Sequence, residues 1–310
     1  SQSPDTVRVR HLCQPVCVMC VCGVMQSPLT LLLVLSVGTA SCSGFVDIDL
    51  GYEVNENSMH WLTDEPFKWE LQSSGYKDGH WYESNRFCTA EHLGTHIDAP
   101  LHFAYGKWSV TDIPLEHLIC QGVVVDIRDK VKKNPAAELT ASDLMTWMNN
   151  HGPLPDKALV FVLTGWGSRY GNKTEYFGIT NNDTTKLAFP GINPSAAQLL
   201  TGYEQASGKR VFGVGIDTAS FDHGPSTKFE THIELSKANI YGLENVANLE
   251  ELPTRGFEVI VMPIKVTGGS GGPTRILARI PEEANAAILS SHPLHNYFIL
   301  PLIATVLRLF

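Results

Sequence analysis

An α/β fold, a single domain built on a mixed sheet, is what this chain predicts, on three observations. Short runs rich in β-branched residues recur along it, and two capped helical segments fall between them. No internal repeat and no clear linker interrupts residues 45–281. In chain order, strands are expected at Phe45–Leu50, Gly122–Ile127, Leu159–Leu163, Val211–Ile216 and Glu258–Val266, the pattern of strands buried in an α/β sheet. A helix over Thr140–Asn150 opens on the capping pattern Thr140-Ala-Ser-Asp143 and stops at Gly152-Pro153. A second, Asn193–Ser207, opens on Asn193-Pro194 and stops at Gly208. Thr267-Gly-Gly-Ser-Gly-Gly-Pro273 reads as a flexible loop before a last strand near Arg275–Ile280. No Gly-x-Gly-x-x-Gly follows the first strand, so a dinucleotide fold has no support.

Composition narrows the function classes. The 310 residues carry 23 Lys+Arg against 32 Asp+Glu, a formal net charge of −9, which gives no general attraction to phosphate, and no nucleic-acid partner is expected. With 43% hydrophobic residues the chain has ample material for a core. The 12 histidines are the unusual count and direct attention to metal ligands and acid–base groups.

Both ends read as addresses rather than fold. Cys13, Cys17, Cys20 and Cys22 lack the second cluster that a zinc knuckle needs, and residues 1–24 are read as upstream sequence that is not translated. From Met25, a short apolar stretch followed by small residues makes residues 25–44 a signal peptide. Residues 282–310 combine small residues at Asn285-Ala-Ala287, a polar spacer and an apolar tail, the pattern of a glycosylphosphatidylinositol-anchor signal. The sequons at Asn172 and Asn182 agree with an extracellular or cell-surface location and a lipid anchor to the membrane. Removal of the leader leaves Cys88 and Cys120, which an oxidising compartment would permit to pair.

The chemistry concentrates in Glu91-His92-Leu-Gly-Thr-His96-Ile-Asp98-Ala-Pro100-Leu-His102-Phe103. Three histidines and a carboxylate offer the imidazole nitrogens and carboxylate oxygens that a divalent transition metal takes. Gly94 and Pro100 favour a turn wrapped around the cation, and Asp98 has two oxygens with which to bridge two ions. His102, outside the compact triad, is free to carry protons, for which an ordinary histidine pKa of about 6.5 is suited. Asp217 could orient a ligand histidine or cap the turn that follows it; Thr218 and Ser220 could line the pocket or only make the turn. The aromatic-rich stretch with His60, Trp61, Trp69, His80 and Trp81 could stack an aryl substrate or belong to the core. No Gly-x-Ser-x-Gly is present, so a serine hydrolase is disfavoured.

The run His92-Leu-Gly-Thr-His96-Ile-Asp98-Ala-Pro100-Leu-His102 resembles the signature of the cyclase-like metal-dependent hydrolases, the family of bacterial kynurenine formamidase and isatin hydrolase. Gly215-Ile-Asp217-Thr218-Ala-Ser220-Phe-Asp222, then His232 and Leu243-Glu244-Asn245, continue the likeness in order, as do Thr164-Gly-Trp166 and Phe189-Pro-Gly-Ile192. The resemblance covers most of Phe45–Ile280. It implies a swivelling β/β/α domain that assembles as a homodimer or larger. His92, His96 and Asp98 match first metal ligands, and His232 and Glu244 match those that complete a two-metal site. One or two ions of Zn2+ or Mn2+ are implied, with His102 as the proton-shuttling histidine. The activity implied is hydrolysis of a small aryl amide by metal-activated water, N-formylkynurenine to kynurenine plus formate in tryptophan catabolism. A cyclic amide such as isatin is the alternative substrate, and a surface-anchored binding protein with a structural metal is the alternative class.

Overall fold

A computed structural model describes residues 8–11, 44–180 and 183–282. The leader and C-terminal signals, and Asn182, lie outside the described residues apart from Arg8–His11, Gly44 and Glu282. Among the described residues, no helix is long and apolar enough to cross a membrane.

Thirteen strands are described: β1 (Arg8–His11), β2 (Phe45–Asp49), β3 (Lys68–Lys77), β4 (His80–Cys88), β5 (His96–Asp98), β6 (Ile119–Asp126), β7 (Glu138–Leu139), β8 (Ala158–Leu163), β9 (Gly191–Ile192), β10 (Val211–Ile216), β11 (Tyr241–Glu244), β12 (Arg255–Pro263) and β13 (Gly271–Pro281). The helices are α1 (Arg128–Val131), α2 (Ala141–His151), α3 (Lys173–Tyr176), α4 (Pro194–Thr201), α5 (Tyr203–Ser207) and α6 (Glu230–Lys237). Nine strands form one mixed sheet in the order β1-β2-β13-β12-β6-β8-β10-β11-β5. Because β5 also pairs with β13, the seven strands from β13 round to β5 close into a ring.

The period-two alternation of the central strands feeds two cores. On β8, Leu159, Phe161 and Leu163 point into the ring with Ile97, Phe212, Tyr241, Phe257 and Ile276. Ala158, Val160 and Val162 point outward beneath Leu144 and Trp147 of α2, Ala196 and Leu200 of α4, and Leu235 of α6. Space inside the ring is made by glycine: a Cβ at Gly122 would lie 2.1 Å from the Phe257 ring and one at Gly215 would lie 2.5 Å from Phe161. A third cluster, Met59, Trp166, Tyr176, Phe177, Phe189 and Ala219, packs beside the site.

Local expectations and structure agree where capping chemistry is explicit. Thr140 accepts from Asp143 N and Asp143 reaches back to Thr140 N, a complete capping box. Asn193 caps α4, but Gly202 divides the expected Asn193–Ser207 helix into α4 and α5. The expected flexible loop at residues 267–273 is corrected. Gly269 O and Ser270 O accept from Val110 N and Ala99 N, and Gly271 already pairs with Asp98 as the start of β13. β12 correspondingly ends at Pro263 rather than Val266.

The hairpin β3–β4 pairs with no strand of the main sheet. Asp78-Gly79, both at positive φ, makes its two-residue turn. Cross-strand register places Trp69, Leu71, Tyr76, Trp81 and Phe87 on one face, with Trp69 and Trp81 more than half exposed. Cys88 is exposed at the hairpin's end. Cys120 is buried in the ring with its thiol against Tyr241, so the two thiols are free and the permitted bridge is not formed. Asn172 is exposed and caps α3.

Candidate metal centre

Strand β5 is three residues long, and its i, i+2 spacing puts His96 and Asp98 on the same face. His92 reaches the same point from the preceding turn, which Gly94 makes at φ +60°. Opposite them, His232 comes from the first turn of α6 and Glu244 from the end of β11, beside β5 in the ring. The five residues, far apart in the chain, therefore meet at the mouth of the ring. His92, His96 and Asp98 form one set of converging donor atoms; Asp98, His232 and Glu244 form a second.

Asp98 is common to both. Its Oδ1 lies 2.6 Å from His92 Nδ1 and 3.3 Å from His96 Nε2, while Oδ2 lies 3.3 Å from His232 Nε2. Glu244 spans the same gap, with Oε1 3.1 Å from His232 Nε2 and Oε2 3.3 Å from His96 Nε2. Each histidine is aimed by its other nitrogen. His96 Nδ1 donates to Gly94 O at 2.9 Å, and His232 Nδ1 donates to Asp222 Oδ2 at 2.6 Å. That leaves the two Nε2 atoms facing the carboxylates, and His96 Nε2 is buried with no hydrogen bond of its own. A buried imidazole nitrogen without a hydrogen bond, among convergent carboxylate oxygens, is a donor set that fits a divalent cation.

The electrostatics carry the same signature. Burial pushes Asp98 up, yet His92, His232 and His96 together hold it well below the ordinary carboxylate range. Burial pushes His96 down, but the Asp98 and Glu244 carboxylates carry it up to about 10; Asp222, Asp98 and Glu244 likewise raise His232. Cation and protons compete for these nitrogens.

His102 ends the single 3-10 turn Pro100–His102 that follows β5. Its ring stacks on His92 with centroids 4.0 Å apart and meets Phe103 edge-on at 4.4 Å. Burial against these rings lowers it to about 4, instead of the ordinary value expected from sequence, so at neutral pH it is uncharged. A cavity of about 250 Å³ opens over the cluster, with Trp61, Phe103, Phe177 and Phe229 on its walls and Ser220 and Asp64 among its polar lining. Of the aromatic-rich stretch, His60 and Trp61 line this cavity, whereas Trp69, His80 and Trp81 sit out on the hairpin.

Asp217 does not touch a histidine. Its carboxylate accepts from Thr164 N, Thr164 Oγ1 and Gly165 N, so it holds the turn that follows β8, not a ligand histidine or the turn that follows Asp217 itself. Thr218 is buried and donates to Ser220 O. The residue that orients His232 is Asp222, five positions on, which also accepts from the backbone N–H groups of Thr231 and His232 at the start of α6. Its place ten residues before His232 was visible in the sequence, but nothing local distinguishes it from Asp217.

Comparison with known proteins follows the same lines. The Cyclase family model matches residues 48–223, a span that holds His92 to His102 and stops short of His232 and Glu244. An isatin hydrolase of Roseibium aggregatum is 32% identical over 213 residues, 66% of this chain and 78% of that protein. A kynurenine formamidase of Bacillus mycoides is 24% identical over 232 residues, 75% and 96% of the two chains. Among solved structures, isatin hydrolase A from Ralstonia solanacearum superposes with a TM-score of 0.68 at 31% identity, covering 76% of this chain and 92% of that one.

Proposed function

We propose that this chain, which belongs to the Cyclase family of metal-dependent hydrolases, hydrolyses the carbon–nitrogen bond of a small aryl amide. The observation that carries this reading is the Asp98 carboxylate shared between two histidine-containing donor sets on the floor of an aromatic-walled cavity. His92, His96, Asp98, His232 and Glu244 would hold one or two divalent cations, Zn2+ or Mn2+. When bound, such a cation would polarise a carbonyl oxygen and lower the pKa of a water molecule to about 7.

This chain's own residues then have separable tasks. Trp61, Phe103, Phe177 and Phe229 hold the aryl ring and exclude water from its faces. His102, neutral at rest, takes a proton from the attacking water and delivers it to the departing nitrogen, because an amide anion is too poor a leaving group to depart unprotonated. Asp222 keeps the His232 ring in one orientation throughout.

N-formylkynurenine is the first substrate to test. The 32% identity to an isatin hydrolase favours a second reading, opening of a cyclic amide such as isatin, and the two differ in cavity shape rather than in chemistry. The deciding experiment is metal content of the purified protein together with turnover of both compounds before and after chelation. Chelator-sensitive hydrolysis of either supports the proposal. Bound metal without turnover of either compound argues for the binding-protein alternative. The expected secretory leader and anchor belong to the same proposal, and retention on cells treated with phosphatidylinositol-specific phospholipase would remove the anchor.

A further inference from the structure

One acidic side chain in the cavity wall has no part in the metal centre. Among the described lining residues, Asp64 is the one carboxylate besides Asp98 and Glu244, and the lining holds no Lys or Arg. Its place is set by the backbone. Asp64 N donates to Trp61 O at 3.0 Å, which closes a β-turn whose end Cα atoms lie within about 7 Å. The chain that enters this turn is fastened to the metal motif: Gly94 N donates to Met59 O at 2.7 Å, and His60 bridges Leu93. Leu93 and Gly94 stand between His92 and His96. An aryl ring held against Trp61 thus has Asp64 within reach of a short substituent.

The carboxylate is unclaimed. In other turns of this chain an aspartate caps a backbone N–H: Asp112 accepts from Ser109 N at 3.0 Å, and Asp183 from Thr185 N at 3.0 Å. Among the described residues the Asp64 carboxylate has no such bond and no ion pair, whereas its neighbour Glu65 is paired with Lys68 at 2.8 Å. Other polar groups of the wall are already engaged. The Asn245 amide donates to Gly94 O and accepts from the Tyr176 hydroxyl. His60 has one ring nitrogen 2.9 Å from Trp61 O and the other 3.4 Å from Lys173 Nζ. A turn aspartate that neither caps nor pairs, half-buried in an aromatic-walled cavity, is an acceptor left over for a cationic ligand group.

We propose that Asp64 is a specificity-determining residue that selects aryl amides carrying a primary ammonium group on a short side chain. The inference deepens the amide-hydrolase reading of this site and rests on it. The ammonium donates to the Asp64 carboxylate while the amide lies over the metal centre. A neutral ring such as isatin gains nothing from Asp64, so the two substrate readings part at this residue.

The test compares ortho-formamidopropiophenone with its β-amino derivative, in the metal-loaded full chain and in Asp64→Asn and Asp64→Glu. kcat and KM are measured for both compounds, and binding of the two deformylated ketones is measured by calorimetry. Wild type should favour the amine about tenfold in kcat/KM, mostly through KM. That preference should shrink as salt is raised. Asp64→Asn should bring the ratio close to unity, and Asp64→Glu should keep part of it. The deformylated pair should show the same preference in binding and the same loss. No preference in the wild type, a preference that survives Asp64→Asn, or an equal loss on both compounds overturns the inference and leaves the hydrolase reading standing. An Asp64-dependent preference in binding with no hydrolysis of either compound upholds Asp64 and removes the hydrolase reading. Neither binding nor hydrolysis overturns both.

Discussion

Asp98 and Asp217 are the same side chain, each almost fully buried and each at the C-terminal end of a strand of the same ring, and they are driven in opposite directions. Three imidazoles face Asp98 and hold it ionised. Asp217 faces only neutral donors, the Thr164 hydroxyl and two backbone N–H groups. Burial outweighs their hydrogen bonds, and its pKa rises to about 6. Burial alone therefore does not mark a functional carboxylate. The neighbours decide whether desolvation is offset by opposite charge, as at a cation site, or only softened by hydrogen bonds, as at a turn cap.

The largest effect that could break this contrast is at Asp98 itself. Asp98→Asn should abolish metal binding and turnover together. In the metal-free protein it should cost about 3–5 kcal/mol of stability in a denaturant titration, because three histidines lose a buried partner. Retained metal with near-wild-type turnover would make Asp98 as structural as Asp217. His102 is next: His102→Ala should keep its metal, measured by elemental analysis, while turnover falls ~10²–10⁴-fold. Loss of metal instead would add His102 to the ligand set.

Asp217 supplies a pH signature with the sign fixed by its raised pKa. Between about 4 and 6 the folded protein holds a proton that the unfolded chain has released, so this group's stabilisation is present at low pH and lost as pH rises through that window. Asp217→Asn stands in for the protonated acid. The stability of wild type relative to this variant should therefore improve by about 2–3 kcal/mol from pH 7 to pH 3.5 in metal-free protein, with Zn2+ affinity at pH 7 unaltered. A matching loss of metal affinity would erase the distinction between the two carboxylates. The smallest effect belongs to the hairpin. Trp69→Ser and Trp81→Ser should each move stability by no more than about 0.5 kcal/mol and leave turnover unchanged. A drop in turnover would tie this remote surface to the cavity.

What could be read in the sequence followed the range of the interactions. The cluster from His92 to His102 was legible because its donors lie within one turn and a three-residue strand, and the caps at Thr140 and Asn193 because a cap acts over three residues. His232 and Glu244 entered only through family resemblance; no local pattern sets a histidine on α6 apart from any other. The β3–β4 hairpin was missed although Asp78-Gly79 is a strong turn signal, because Gln72-Ser-Ser-Gly75 breaks the alternation on one arm. Residues 267–273 read as a flexible loop where the structure pins them by backbone hydrogen bonds, since glycine that permits a close approach and glycine that permits motion look alike in a sequence.

The closing of the ring through β5 sets a timetable for synthesis. Asp98 leaves the ribosome early, yet the strands that flank it, β11 and β13, are among the last described elements of the body to emerge. Until Gly271 is available, the stave that carries His96 and Asp98 lacks a neighbour on one side. A nascent chain halted after β12 would hold nearly every core residue and an open ring. Contacts this distant in the chain are slow to form, so acquisition of metal should be among the last events of maturation.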